Sequence, residues 1–130
     1  MTSTNPQSLL SIRNLRIEFP TRRGSLVAVD DISFDIKEGE ILGVAGVDGN
    51  GQTELEKAIL GLIRVNSGSI LLYGKEIKSY STRSRLKKGI RYIPPDRQNQ
   101  ALLLEFNLAD NLILGSHWHR PIAKLGWLKP

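Results

Sequence analysis

Apolar and polar positions alternate near the start of the chain. Leu15, Ile17 and Phe19 are interleaved with Asn14, Arg16 and Glu18, the period of two that predicts a half-buried strand. Pro20 to Ser25 (PTRRGS) carries turn residues. Ile32, Phe34 and Ile36 then alternate with Asp31, Ser33 and Asp35, predicting a second strand, and Lys37 to Glu40 reads as a polar turn. Ile41 to Ala45 differs. ILGVA is a continuous apolar run, the pattern of a strand covered on both faces in a parallel α/β sheet. GVDGNG, residues 46–51, packs three glycines into six positions. Leu55, Ala58, Ile59 and Leu62 follow at i, i+3, i+4 and i+7, one face of a helix. Thr53 and Glu54 fall in its first turn and Gly61 near its end.

The later pattern is shorter in period. VNSG (65–68) leads into SILLYG, a short strand, and Ser81 to Lys88 suits a short helix with four cations. Ile90 to Ile93 predicts another strand, stopped by Pro94 and Pro95. Asn107 is placed to cap a helix, with Asp110 three positions on and Phe106 as a staple. Residues 1–8 read as a flexible tail. His117 to Pro130 shows no clear period, and no internal repeat is present.

Composition narrows the class. The chain has 130 residues, enough for one domain or part of one. With 40% hydrophobic and 24% charged residues, bulk disorder is not expected. The formal net charge of +5 suits an anionic ligand without selecting one. The absence of cysteine excludes a disulfide scaffold, a zinc finger and thiol catalysis. No apolar run approaches the ~20 residues that span a bilayer, and MTSTNPQSLL lacks the basic and apolar regions of a signal peptide. The expectation is a reducing, cytoplasmic compartment.

The chemistry concentrates in G-V-D-G-N-G-Q-T, residues 46–53. It fits the phosphate-binding pattern G-x-x-x-x-G-K-[ST] except that Gln52 replaces the lysine. A predicted buried strand precedes it and an amphipathic helix follows. Glycines let the backbone approach an anion closely. Successive N–H groups make a concave nest, and the helix start adds free N–H groups and a positive dipole. The Thr53 hydroxyl suits Mg²⁺. Gln52 donates hydrogen bonds but carries no charge, so phosphates are expected to be held more weakly and transferring charge poorly stabilised. The plain alternative is a glycine-rich turn. A dinucleotide fingerprint fails, because Glu54 stands where G-x-G-x-x-G needs glycine.

On these residues the chain resembles the first half of an ABC-transporter nucleotide-binding domain. The resemblance runs from about Leu10 to Gly115 through RNLRIEF, VDDISFDIKEGEILGVAG, the loop, ILGLIRVNSGSILLYGKEI and IRYIPPDR. More narrowly, GVAGVDGNGQTEL and ALLLEFNLADNL look like the second, degenerate ATPase domain of tandem importers for simple sugars or nucleosides. The fold implied is α/β: a P-loop NTPase with a RecA-like core plus the antiparallel β subdomain of an ABC ATPase, here incomplete. Residues 1–8 would be a tail, 9–96 the first part of the domain, and 97–130 the start of a truncated helical subdomain.

The resemblance implies ATP and Mg²⁺ as ligands. Phe19 would stack on adenine, with a core strand residue as the alternative. Gly46, Asp48, Gly49, Asn50, Gly51, Gln52, Thr53 and Glu54 would wrap the triphosphate, Thr53 also reaching Mg²⁺. Pro95 stands where the family places a glutamine and lacks its chemistry. Asp96 beside it would be either a substitute metal contact or a solvated or loop-capping carboxylate. Phe106, Leu108, Leu112 and Trp118 would belong either to a docking surface for a membrane permease or to subdomain core. His117 and His119 read as surface residues. No LSGG-type signature and no apolar run ending in Asp-Glu is found, so no catalytic residue is assigned and these 130 residues are expected to be inactive alone. A piece of a longer protein, or a truncated or split gene product, is expected.

The implied partners are permease subunits, a second nucleotide-binding domain and, indirectly, a solute-binding protein, at the inner face of the cell membrane. Competing expectations are a non-enzymatic nucleotide or phosphate-binding module and a nonfunctional remnant. Arg83, Arg85, Lys87, Lys88 and Arg91 form a basic cluster. Its aromatic interleaving is poor, so a solvated helix face is expected rather than a nucleic-acid surface.

Overall fold

A computed structural model describes residues 8–22, 24–114, 123–124 and 127–128. Apart from Ser8, the expected tail lies outside the described residues, as do His117, Trp118 and His119. The chain divides into two units, Met1–Ile90 and Arg91–Pro130.

The first unit is built on two long strands, β1 (Leu10–Thr21) and β2 (Gly24–Ile36). With β3 (Ser67–Leu72) and β4 (Lys75–Glu76) they form an antiparallel sheet in the order β2-β1-β3-β4. The turn expected over Pro20 to Ser25 is tighter than its composition suggests. Pro20 pairs with Ser25 and Thr21 with Gly24, so the strands run almost to the turn's apex.

A bulge explains how β1 buries one face along its whole length. Leu10, Ile12, Leu15 and Ile17 are all buried, yet Ile12 and Leu15 are an odd number of positions apart. A regular strand would turn them to opposite faces. Asn14, at φ 46°, absorbs the extra residue, and Asp31 opposite it sits at φ 52°. The Asn14 amide donates from Nδ2 to Asp31 Oδ1 at 2.7 Å, and its backbone N–H donates to Ser33 Oγ at 2.8 Å. Asparagine and aspartate tolerate this left-handed region best among residues with a side chain.

Helix α1 (Gln52–Leu60) packs on this face. Ala58 is fully buried, and Leu55 and Ile59 lie against a core of Ile12, Leu15, Ile17, Ile70 and Ile77. Each fully buried Leu or Ile contributes about 1.5–3 kcal/mol. Gly61 at φ 76° ends the helix: its N–H reaches Ala58 O at 3.1 Å, and the Leu62 N–H reaches Lys57 O at 2.8 Å. Leu62, expected on the apolar face, lies beyond this stop and is exposed; Leu60 is buried instead.

Two expected strands do not form. Ile41 to Ala45 has no strand pairing, and Ile41 is 97% exposed. Ile90 to Ile93 likewise forms no strand, with Ile93 exposed. A continuous apolar run becomes a buried strand only between neighbouring strands and under covering layers. Among the described residues no strand lies beside either run.

The expected helix after Ser81 is α2 (Thr82–Lys87), with Ser81 accepting from the Ser84 N–H. Its basic face is not uniformly solvated. Arg85 is buried, at 2% exposure. Its guanidinium donates to the carbonyls of Ala58 (2.6 Å), Ile59 (2.8 Å), Lys78 (2.9 Å) and Tyr80 (3.1 Å). Ala58 and Ile59 lie in the last turn of α1, where carbonyls lack intrahelical partners and the dipole favours a cation. Burial lowers the Arg85 pKa from its ordinary value, while nearby Glu76 raises it.

Between β1 and β2, Arg13 Nη2 donates to both carboxylate oxygens of Asp35, at 2.7 Å to Oδ1 and 2.6 Å to Oδ2. Arg16 pairs with Asp30, and with Glu18 at 3.4 Å. The Arg13 bond, then the Ser11 hydroxyl at 2.6 Å, hold the Asp35 carboxyl below the usual carboxylate range. A depressed folded pKa contributes stability above the unfolded value of about 3.9 and loses it as pH falls through the folded one. Asp35→Asn is therefore expected to flatten the pH dependence of stability below about pH 4. Urea midpoints measured from pH 2 to 6 check this, and parallel curves for the two proteins would refute it.

The second unit contains α3 (Arg97–Gln100), α4 (Leu108–Ile113) and a two-residue antiparallel pair, β5 (Ala123–Lys124) with β6 (Trp127–Leu128). Asn107 caps α4 as expected: its Oδ1 accepts from the Asp110 N–H at 2.9 Å, and its Nδ2 donates to Asp110 Oδ2 at 2.7 Å. The staple does not form, because the position facing Phe106 is Asn111. The Asn111 amide instead donates to the carbonyls of Leu103, Phe106 and Asn107 at 3.0–3.1 Å and accepts from the Leu103 N–H at 2.9 Å. Polar clasping replaces apolar contact, and Phe106, Leu108 and Leu112 remain exposed.

Candidate functional site

The site lies where the glycine-rich loop enters α1. Val47 O accepts from the Asn50 N–H at 3.2 Å, closing a turn over Asp48 and Gly49, the latter at φ 82°. Gly51 at φ 92° caps α1 and offers no side-chain hydrogen bond to it. A Cβ on Gly51 would lie 2.2 Å from the Ala28 carbonyl oxygen of β2. Only glycine brings the loop this close to the sheet, and the first N–H groups of α1 are left without a side-chain cap.

Gln52 folds back over the loop. Its Nε2 donates to Val47 O at 3.2 Å and rests against Gly46, where a Cβ would meet that nitrogen at 2.0 Å. The side chain at position 52 is thus directed over the hollow of the loop rather than away from it.

Two clefts flank this hollow. One, of about 320 Å³, is mostly apolar and includes Gly46, Asn50, Gly51 and Gln52 together with Asp30. The other, of about 630 Å³, brings Phe19 of β1 together with Asp48, Gly49, Asn50, Thr53 and Glu54. Asn50 lines both. Phe19 is half-buried and packed against the core, and also lines the second cleft, so its two expected roles are compatible. Thr53 is exposed and Glu54 half-buried, in the first helical turn.

Sequence reasoning missed one wall of the second cleft. Leu26, Val27 and Ala28 of β2 line it, and Leu26 is paired directly with Phe19. The apolar LVAV stretch after Gly24 and Ser25, with two β-branched valines, carries the signal for this wall.

Asp96 lies in the second unit and caps α3. Its Oδ1 accepts from the Asn99 N–H at 3.1 Å and its Oδ2 from Asn99 Nδ2 at 2.7 Å. The Asn99 side chain, then its backbone N–H, lowers the Asp96 pKa. This is the loop-capping carboxylate of the two expected readings. Pro95 is exposed.

The family model for the ABC transporter domain matches residues 29–126. The chain belongs to the ABC transporter family. "Nucleoside import ATP-binding protein NupA" of Lactococcus lactis subsp. cremoris (strain MG1363) is 44% identical over 120 residues, 92% of this chain and 23% of that protein. "Guanosine import ATP-binding protein NupO" of Bacillus subtilis (strain 168) is 45% identical over 100 residues, 77% of this chain and 20% of that protein. The chain therefore spans about a fifth of the length of these curated relatives. The solved structure of MJ1267, an ATP-binding cassette of an ABC transporter, superposes with a TM-score of 0.60 over 72% of this chain and 36% of that one, at 20% identity. That likeness shows the fold. The ABC fold is α/β and of the P-loop NTPase type, represented here by the antiparallel sheet, the loop and α1.

Proposed function

We propose that this chain is part of the ATP-binding subunit of an ABC importer of the nucleoside and simple-sugar type, and that it binds MgATP in the cleft between Phe19 and the loop. The observation that carries this reading is the convergence of Phe19, Asp48, Gly49, Asn50, Thr53 and Glu54 on one cleft beside an uncapped helix start. The names of the relatives at 44% and 45% identity favour nucleosides among the cargoes. Cargo choice would rest with receptor and permease, not with this domain.

The residues fit the ligand. Phe19 offers an aromatic face to the base. Glycines at 46, 49 and 51 let the backbone N–H groups of the loop approach the phosphates, and the α1 dipole favours negative charge there. Thr53 supplies a hydroxyl, and Asp48 and Glu54 supply carboxylates, hard oxygen donors of the kind Mg²⁺ takes together with phosphate oxygens. Bound Mg²⁺ neutralises phosphate charge. With Gln52 in place of the loop lysine, transferring charge is poorly stabilised, so the reading is nucleotide binding coupled to a permease, with hydrolysis at a partner site. Exposed Leu104, Phe106, Leu108 and Leu112 offer apolar surface for such a partner. Among the described residues no helix is long and apolar enough to cross a membrane; a peripheral position at the inner face is the place the importer reading gives such a subunit.

Calorimetric titration of the chain with MgATP tests the reading. Phe19→Ala is expected to weaken binding about fivefold, the effect of losing about 1 kcal/mol of stacking. Thr53→Ala weakens it as well. No saturable binding by the folded wild-type chain would overturn the reading.

A further inference from the structure

We propose that the cleft beside the end of α1, lined by Arg64, Lys78 and Arg85, is a separate ligand site that takes a small organic phosphate, a phosphate monoester with an apolar or aromatic body. The cleft has a volume of about 660 Å³ and shares no lining residue with the two clefts at the glycine-rich loop. The proposal is therefore independent of the nucleotide reading above.

The first observation is the charge gathered at this cleft. Arg64, Lys78 and Arg85 line it against one carboxylate, Glu76. That carboxylate is already engaged: its Oε1 accepts from the N–H groups of Ile70 at 3.1 Å and Lys78 at 2.9 Å. Among the described residues, none of the three cations has a carboxylate within ion-pair distance. Lys78 Nζ donates to Gly68 O at 3.2 Å, and Arg64 is exposed. Arg85 is the unusual member, because it is buried. A buried charge is ordinarily paired with an opposite one. A guanidinium has five N–H groups. Four go to the carbonyls of Ala58, Ile59, Lys78 and Tyr80, and the remaining one, on Nη2, is given to none of the described residues. Those bonds also cover the carbonyls at the end of α1, whose dipole would otherwise repel an anion.

The second observation is the rest of the lining. Leu62, Ile63 and Val65 supply an apolar side, with Ile63 and Val65 packed against the core. Tyr80, half-buried on the same core, lines the cleft as well, and Ser79 adds a hydroxyl. A cleft of several hundred cubic ångströms with apolar lining and a few charged groups suits a small organic molecule. Inorganic phosphate alone would leave the apolar side unused. Two guanidinium groups and an ammonium match a dianionic phosphate better than a singly charged carboxylate. A phosphate monoester meets both halves of the cleft, its head against the cations and its organic body on Leu62, Ile63 and Val65.

Magnetic resonance titration of the ¹⁵N-labelled full chain with phenyl phosphate, inorganic phosphate and phenol tests this. Phenyl phosphate is expected to give saturable shifts at the amides of residues 61–65 and 78–85. It should bind at least about tenfold more tightly than inorganic phosphate or phenol, because only the ester engages both halves of the cleft. Combining Arg64→Ala with Lys78→Met is expected to weaken it at least about tenfold, with folding checked by circular dichroism. Absence of saturable shifts at these amides, or shifts confined to residues 46–54, would overturn the proposal and leave the nucleotide reading untouched. Phenol binding as tightly as the ester would overturn it by making the cleft merely apolar. Unchanged affinity in the folded double variant would overturn it by removing the cations as the cause. Tighter binding of a tetraglutamate peptide at the same amides would overturn it in favour of an acidic protein segment.

Discussion

Arg85→Met is expected to cost the chain about 3 kcal/mol or more of folding stability. A surface arginine on a short helix would cost almost nothing. The difference lies in what the guanidinium touches. It is buried and gives hydrogen bonds to the carbonyls of Ala58, Ile59, Lys78 and Tyr80. Methionine fills a similar volume and donates to none of them. Ala58 keeps the N–H of Gly61, but Ile59, Lys78 and Tyr80 lose the donor that faces them. A buried carbonyl left unpaired costs about 1–3 kcal/mol. The cleft beside Gly61, Lys78 and Tyr80 admits water to some of this surface, which keeps the total below a simple sum. Arg85→Lys is expected to restore only part of the loss. One ammonium lacks the planar fork that reaches four carbonyls on different segments. The packing is tight enough that a Cβ on Gly61 would lie 2.8 Å from Arg85 Nε. Urea denaturation followed by far-UV circular dichroism measures the effect. A midpoint within error of wild type for Arg85→Met would show that these hydrogen bonds do not hold the end of α1.

Arg85 also marks the limit of what the sequence discloses. The pattern reads a cation among cations as solvated, because nothing local signals burial. The cause is non-local: the last turn of α1 and the Lys78–Tyr80 segment bring their carbonyls to one point. The bulge at Asn14 is similar. Alternation over Leu15, Ile17 and Phe19 is legible, yet the link to Leu10 and Ile12 needs a residue out of phase, visible only once Asp31 and Ser33 are seen opposite. The ILGVA run departs from its expected strand for a different reason. An apolar run reports what a strand would bury if neighbours were present, and among the described residues none lies beside it. The loop was more legible than any of these. Glycine spacing is a direct record of backbone geometry, and Gly49 and Gly51 do take positive φ. Its neighbour across the sheet, Leu26 beside Phe19, was not, because strand register is not written in either strand alone.

Gln52→Lys tests the loop's chemistry most directly, and MgATP is expected to bind about 10- to 100-fold more tightly to the variant. The estimate follows from replacing a neutral donor with a charged one, worth about 1.5–3 kcal/mol, at about 1.4 kcal/mol per tenfold change. Geometry supports the sign. The side chain at position 52 already lies over the hollow, against Gly46 and within reach of Val47 O. An ammonium on a stem of similar path would stand beside the phosphates. It would also supply the cation that the lining residues lack, offsetting Asp48 and Glu54. Free ATP should therefore gain more than MgATP, and the two affinities should converge. Calorimetric titration of wild type and variant, each with ATP in Mg²⁺ and in EDTA, gives all four constants. Unchanged affinity in a folded variant would mean that position 52 does not face the phosphates, and the nucleotide would then have to sit elsewhere along the loop.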